Sequence, residues 1–164
     1  MKGSYYRLVG ALVLMGLLLT TPMTRARSNN CQGINGHIEG QVIGPSPLCG
    51  GALTEIGPFT DSEGNILGNF LACATTVLEQ EGNGAQKLQL VHTYTTNEGD
   101  TFTTSDDIVL SPIDPPVYGV NNHALVTGGT GSYENASGFI EDHGTFSFET
   151  GKVSVDYHGR ICTP

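Results

Sequence analysis

Residues 137 to 162 read SGFIEDHGTFSFETGKVSVDYHGRIC, and the alternation in this stretch decides the fold. Apolar side chains fall on every second position either side of Thr150-Gly151, a dipeptide of the kind that closes β-hairpins. A two-residue loop there sets Phe148 opposite Val153, Phe146 opposite Val155 and Gly144 opposite Tyr157, with Ile140 and Ile161 continuing one apolar face. The other face pairs Glu141 with Arg160, His143 with His158 and Thr145 with Asp156. Slipping one strand by a single residue would mix the two faces, so the pattern supports the pairing.

Working outward, KLQLVHTYTT (87 to 96) and TFTTSDDIVL (101 to 110) flank Asn97-Glu98-Gly99-Asp100. Symmetric pairing about Glu98-Gly99 sets Leu88 opposite Val109, Leu90 opposite Asp107, His92 opposite Ser105 and Tyr94 opposite Thr103. Further strands are expected near 50–56, 66–79 and 122–128, with one more at 37–43. SPIDPPVYG (111 to 119) holds three prolines, which a central strand does not accept, so it is expected to be a long connection. Glycine is 23 of 164 residues, twice its usual share, and beyond residue 26 no window of ten has apolar positions at helical spacing. The expectation is an all-β domain, a single antiparallel β-barrel of seven to eight strands.

The N-terminus has a different character. Lys2 and Arg7 precede an apolar run from Leu8 to Leu19 and then TTPMTRA, the order of a secretory signal peptide cleaved after Ala26. The run is shorter than the roughly 20 residues a membrane helix needs, so no membrane attachment is expected after cleavage. Residues 27 to 164 then form one domain, secreted or periplasmic, with four basic residues against sixteen acidic. A net charge of −12 repels nucleic acid and anionic lipid. Cys31, Cys49, Cys73 and Cys162 lie in this part, and an even count in an exported chain favours two disulfides. Of three pairings, Cys31 with Cys49 and Cys73 with Cys162 is preferred, as a short N-terminal loop and a tie from last strand to early strand.

The glycine-rich segment VTGGTGSYENASG (126 to 138) is not a phosphate cradle. Glu134 stands where the dinucleotide fingerprint needs glycine, the Walker Gly-Lys-Ser/Thr is absent, and no amphipathic helix follows. Gly128, Gly129 and Gly131 instead suit a tight bulged turn, with Tyr133 packing back over it and Gly138 bending the next strand. The run from Ala124 to Cys162, ALVTGGTGSYENASGFIEDHGTFSFETGKVSVDYHGRIC, together with GDTFTTSDDIVLSP and NNHALVTGG upstream, resembles the C-terminal half of the allene oxide cyclase and dirigent families. The resemblance covers residues 86 to 162 and implies an eight-stranded antiparallel barrel that holds hydrophobic small molecules. Some members of those families guide cyclisation or radical coupling by shaping the ligand.

The face running from Leu88 and Leu90 to His92 and Tyr94 has the apolar walls and few polar groups of a ligand cavity. If it points inward, His92 could move a proton, Tyr94 could donate to a ligand oxygen and Asp107 could orient either. The competing reading is a wet barrel mouth that these residues only solvate. His143 and His158 invite zinc, with His92 or Asp156 as third ligand, yet they share a face with Glu141, Arg160, Thr145 and Lys152 that reads as solvated exterior. No metal or other cofactor is therefore expected. Asp61 to Glu63 lacks the spacing of a calcium loop and reads as an acidic turn, and Asn135-Ala136-Ser137 has the form of a glycosylation acceptor. No nucleophile elbow, catalytic triad or HExxH occurs. Three functions remain: a secreted barrel binding a hydrophobic small molecule, a cofactor-free cyclase or coupling guide using the same cavity, and a structural or surface-interaction barrel. Nothing in the sequence decides between a monomer and a homo-oligomer.

Overall fold

The structure, a computed structural model, describes residues 30–80, 82 and 84–164, so the expected signal peptide lies outside the described residues. Eight antiparallel strands follow one another around a closed barrel: β1 (Asn30–Pro45), β2 (Leu53–Asp61), β3 (Ile66–Gln80), β4 (Gln86–Thr96), β5 (Thr101–Asp114), β6 (Val117–Gly129), β7 (Ser137–Ser147) and β8 (Lys152–Thr163). Each strand pairs with its sequence neighbours, and β8 returns to β1 to close the wall. Period-two alternation gives each strand one apolar face, and with no α-helix or second sheet among the described residues to cover it, curling the single sheet onto itself buries that face. Ile38, Phe59, Phe70, Leu90, Phe102, Ile108, Leu110, Val120, Ile140 and Val155 fill the interior. Burying each such side chain contributes about 1.5–3 kcal/mol.

Turn chemistry corrects both expected registers. At the last hairpin the loop spans residues 148 to 151: Gly151 N–H donates to Ser147 O (2.8 Å) and Phe148 N–H donates across to Pro116 O (3.0 Å). Phe148 is thereby drawn out of the ladder, and Phe146, not Phe148, faces Val153. The slip is two residues, so the faces survive while the partners change: His143 stands opposite Asp156 and Glu141 opposite His158. Between β4 and β5 the turn runs through Asn97, Glu98 and Gly99 and is closed by Thr96 N–H to Asp100 O (2.9 Å), with Gly99 at φ +91°. A three-residue loop ending in a left-handed glycine is a favoured hairpin form. It shifts the pairing by one residue: Leu88 meets Ile108, Leu90 meets Asp106, His92 meets Thr104 and Tyr94 meets Phe102. That odd slip turns Asp106 inward and Asp107 outward.

The proline segment is not a long connection. β5 continues to Asp114 and β6 begins at Val117, with a cis Pro115–Pro116 bond at the turn. Pairing with β4 ends at Leu110, so beyond it β5 bonds only to β6 and one edge has no ladder for Pro112 to interrupt.

Two disulfides form, with partners other than those preferred from spacing: Cys31 with Cys162 and Cys49 with Cys73. Closure explains the first, because Cys31 and Cys162 are direct neighbours in the β1–β8 ladder. The second joins the short turn Pro47–Cys49 to β3, the strand next to the one that turn leads into.

The glycine-rich segment is architectural. Gly128 and Gly131 have φ of +135° and +57°, Thr103 and Thr104 flank a bulge, and Tyr133 packs on Phe102 with ring centroids 5.1 Å apart. Gly129 serves differently, since a Cβ there would lie 2.0 Å from Thr101 O. Asp100 already fills the concavity a phosphate would need, accepting from Ser132 N–H at 2.9 Å.

Candidate functional site

Inward positions on β4 to β7 are apolar toward the ends and polar at mid-height. His92 on β4, Asp106 on β5, Asn122 on β6 and Asp142 on β7 are 6%, 1%, 3% and 4% exposed, though each is a residue type that usually stays in water. Alternation carries them inside: Ile108 and Leu110 fix the parity of Asp106, Val120 and Ala124 that of Asn122, and Ile140 and Phe146 that of Asp142. The half-buried Glu55 joins them from β2. Gly40 on β1 leaves room for it, because a Cβ at that position would sit 1.9 Å from Glu55 Oε1.

The cluster is tightly connected. Asn122 Nδ2 donates to Asp106 Oδ2 (2.8 Å) and Asp142 Oδ2 (2.7 Å), and Thr104 Oγ1 donates to Asp106 Oδ1. His92 Nδ1 lies 3.0 Å from Asp106 Oδ2 but off the hydrogen-bonding direction, so this contact is a close ion pair. The imidazole packs against both Phe70 and Tyr94, at 5.6 and 5.5 Å between ring centroids. Asn122 Oδ1 and Asp142 Oδ1 are buried and have no partner. A buried oxygen left without a donor costs roughly 1–3 kcal/mol.

The charges perturb one another. Burial by itself disfavours the His92 imidazolium, but Asp106 beside it, helped by Glu55 and Asp142, outweighs this and raises the pKa to about 9. Burial pushes Glu55 up to about 7 against the opposing pull of His92. Burial also raises Asp142, whereas for Asp106 the burial penalty is overcome by His92 and by its hydrogen bonds, and the net shift is downward. At neutral pH the barrel thus encloses a cationic imidazole, an anionic Asp106 and two carboxyl groups that hold protons more readily than in water. Such a set can give or take a proton beside a bound molecule.

Two apolar cavities flank this layer. One of about 240 Å³ is lined by Ile34, Phe59, Tyr94, Phe102, Tyr133 and Tyr157. The other, about 190 Å³, lies toward the opposite rim and is lined by Val42, Leu88, Leu110, Phe146 and Phe148, with Glu55 on its wall. Tyr94 stacks on Phe102 at 4.5 Å, and burial holds its hydroxyl pKa well above the usual value.

Of the residues singled out from sequence, His92 and Tyr94 are brought together inside the barrel. Asp107 is not: it is exposed and accepts from Gln89 Nε2 at 3.1 Å, while Asp106 occupies the place expected of it. Sequence reasoning missed Glu55, Asp106, Asn122 and Asp142. The signal was a polar residue at an inward parity between apolar ones, as Asp106 shares the parity of Phe102, Ile108 and Leu110. Asp61 does form an acidic turn, its Oδ1 accepting from Glu63 and Asn65 N–H, both at 2.9 Å. Asn135 is exposed.

No protein-family model matches the chain, and no curated protein matches it. Among solved structures it is similar to a pterocarpan synthase dirigent protein, with a TM-score of 0.51 and 17% sequence identity over 98% of this chain and 98% of that one. Likeness at this identity is likeness of fold. The chain has a dirigent-like eight-stranded barrel.

Proposed function

We propose that the barrel binds a small, largely apolar molecule bearing an oxygen function, in the cavity between Leu88, Leu110, Phe146 and Phe148, with its polar group on Glu55. The observation that carries this is an apolar cavity whose wall carries Glu55, the member of the acid–base layer that reaches it, its carboxyl pKa raised by burial to about 7. A volume of about 190 Å³ compares with the roughly 150 Å³ cavity that holds benzene, so a single-ring phenolic or a short oxygenated aliphatic chain is the size class. The two disulfides support an oxidising compartment, the secreted or periplasmic setting expected from the N-terminus.

A dirigent-type guide or cofactor-free cyclase is the second reading, favoured by His92 and Glu55. Groups with pKa near 9 and near 7 in one enclosure could move a proton while the walls hold one ligand conformation. Native mass spectrometry of protein from its own host, followed by thermal shift with phenolic and oxylipin probes, tests both. A ligand specific to the folded state raises Tm by mass action. Glu55→Gln should weaken binding of an oxygenated probe; if it also alters turnover or product distribution, the guide reading holds. Absence of any co-purified ligand and of any Tm shift would leave a structural barrel.

A further inference from the structure

The observed register changes the reading of the outer surface. On the outside of β6, β7 and β8, Glu141 stands directly opposite both His123 and His158. Its Oε2 is 3.1 Å from His158 Nε2 and its Oε1 is 3.8 Å from His123 Nδ1. His143, two residues along β7, places its ring 6.0 Å from that of His158, the two planes 29° apart. One donor atom each from Glu141, His143 and His158 lie within 4.8 Å of one another. Donors sharing one zinc-sized ion at about 2.0–2.2 Å sit roughly 3.3 Å apart, so modest rotations of exposed rings complete the set. Pairing His143 with His158 left the carboxylate facing Arg160, and the two-residue slip supplies it as third ligand.

We infer that Glu141, His143 and His158 form a binding site for a divalent transition-metal ion of the zinc or copper class on the barrel exterior, with His123 as an adjacent fourth donor. Two imidazoles and one carboxylate suit such borderline ions, whereas calcium and magnesium prefer all-oxygen shells. The donors stand on three neighbouring strands of a closed sheet, so little order is lost when the ion arrives. His143 and His158 also wall an open surface groove shared with His37, Asp61 and Asp156. An ion held by Glu141, His143 and His158 alone would keep one coordination position, open to His123 or to a solvent-borne ligand. His37 is already committed to Asp156 and Glu39, at 2.8 Å each, and serves as an internal control.

Calorimetric titration of untagged protein with zinc chloride and with copper chloride should show one tight site per chain, and native mass spectrometry one added ion. Glu141→Gln and His158→Asn should each weaken it by at least the roughly tenfold that even outer partners of a metal ligand are worth. His37→Asn should leave it unchanged. Absorption of the cobalt-loaded protein reports the ligand set, and should lose intensity in the same two variants. Failure to bind either ion, binding that survives both ligand variants, or equal loss in the His37 variant would overturn the assignment. Since the site is external, apolar probe binding inside the barrel should be indifferent to the metal, so the two proposals fail separately.

Discussion

His92 makes the stability of this protein sensitive to alkali. Its folded pKa of about 9 exceeds the ordinary 6.5, so the ion pair with Asp106 contributes fully below about pH 6.5 and is lost as pH rises through 9. Unfolding free energy from urea titrations should fall between pH 6.5 and 9 by on the order of 1–3 kcal/mol, and His92→Gln should flatten that slope. Glu55 works in a lower window. With a folded pKa near 7 against 4.5, it disfavours the folded state progressively from about pH 4.5 to 7. Glu55→Gln should therefore raise stability at pH 8 by on the order of 1–2 kcal/mol and change little near pH 4.5, as denaturant midpoints would show. His92 and Tyr94 were legible in sequence because they extend an apolar alternation. Asp107 was chosen over Asp106 because a single odd slip at Gly99 exchanges them. Asn122, Asp142 and Glu55 stayed hidden because each stands alone between apolar neighbours on a different strand, and only closure brings them together.

At the scale of elements, face assignment was legible and pairing was not. Alternation along β7 and β8 identifies Ile140, Phe146, Val153, Val155 and Ile161 as buried under either register, since a shift of two preserves parity. The two-residue shift came from a tertiary contact, Phe148 N–H to Pro116 O, that no local pattern announces. Gly138 at the start of β7 shows how little tolerance the ladder has: its φ is +147°, and a Cβ would lie 1.9 Å from Arg160 O. Gly138→Ala should cost about 2 kcal/mol or more in chemical denaturation. The disulfides differ in the span they close, 131 residues for Cys31–Cys162 and 24 for Cys49–Cys73. Chain-entropy arguments assign about 5 and about 3 kcal/mol. Replacing the first pair by serine should lower Tm more than replacing the second, and the reverse order would mean that strain or residual structure governs both.

For the whole molecule, the polar waist stands between two apolar cavities, and the proposed binding predicts that they fill separately. Leu88→Trp should fill the cavity beside Phe148 and abolish its probe binding, while a ligand of the Tyr133 cavity keeps its affinity; loss of both in titrations would show that the waist opens. The closing of β1 on β8 also fixes how the barrel can be held. Asn30 and Thr163 are paired neighbours at the rim that carries Tyr133. Tethered to a resin, a surface or a second domain by either end of the described chain, the molecule stands the same way up. The Tyr133 rim then faces the support, and the Phe148 mouth is the side offered to solution whichever of the two ends carries the tether.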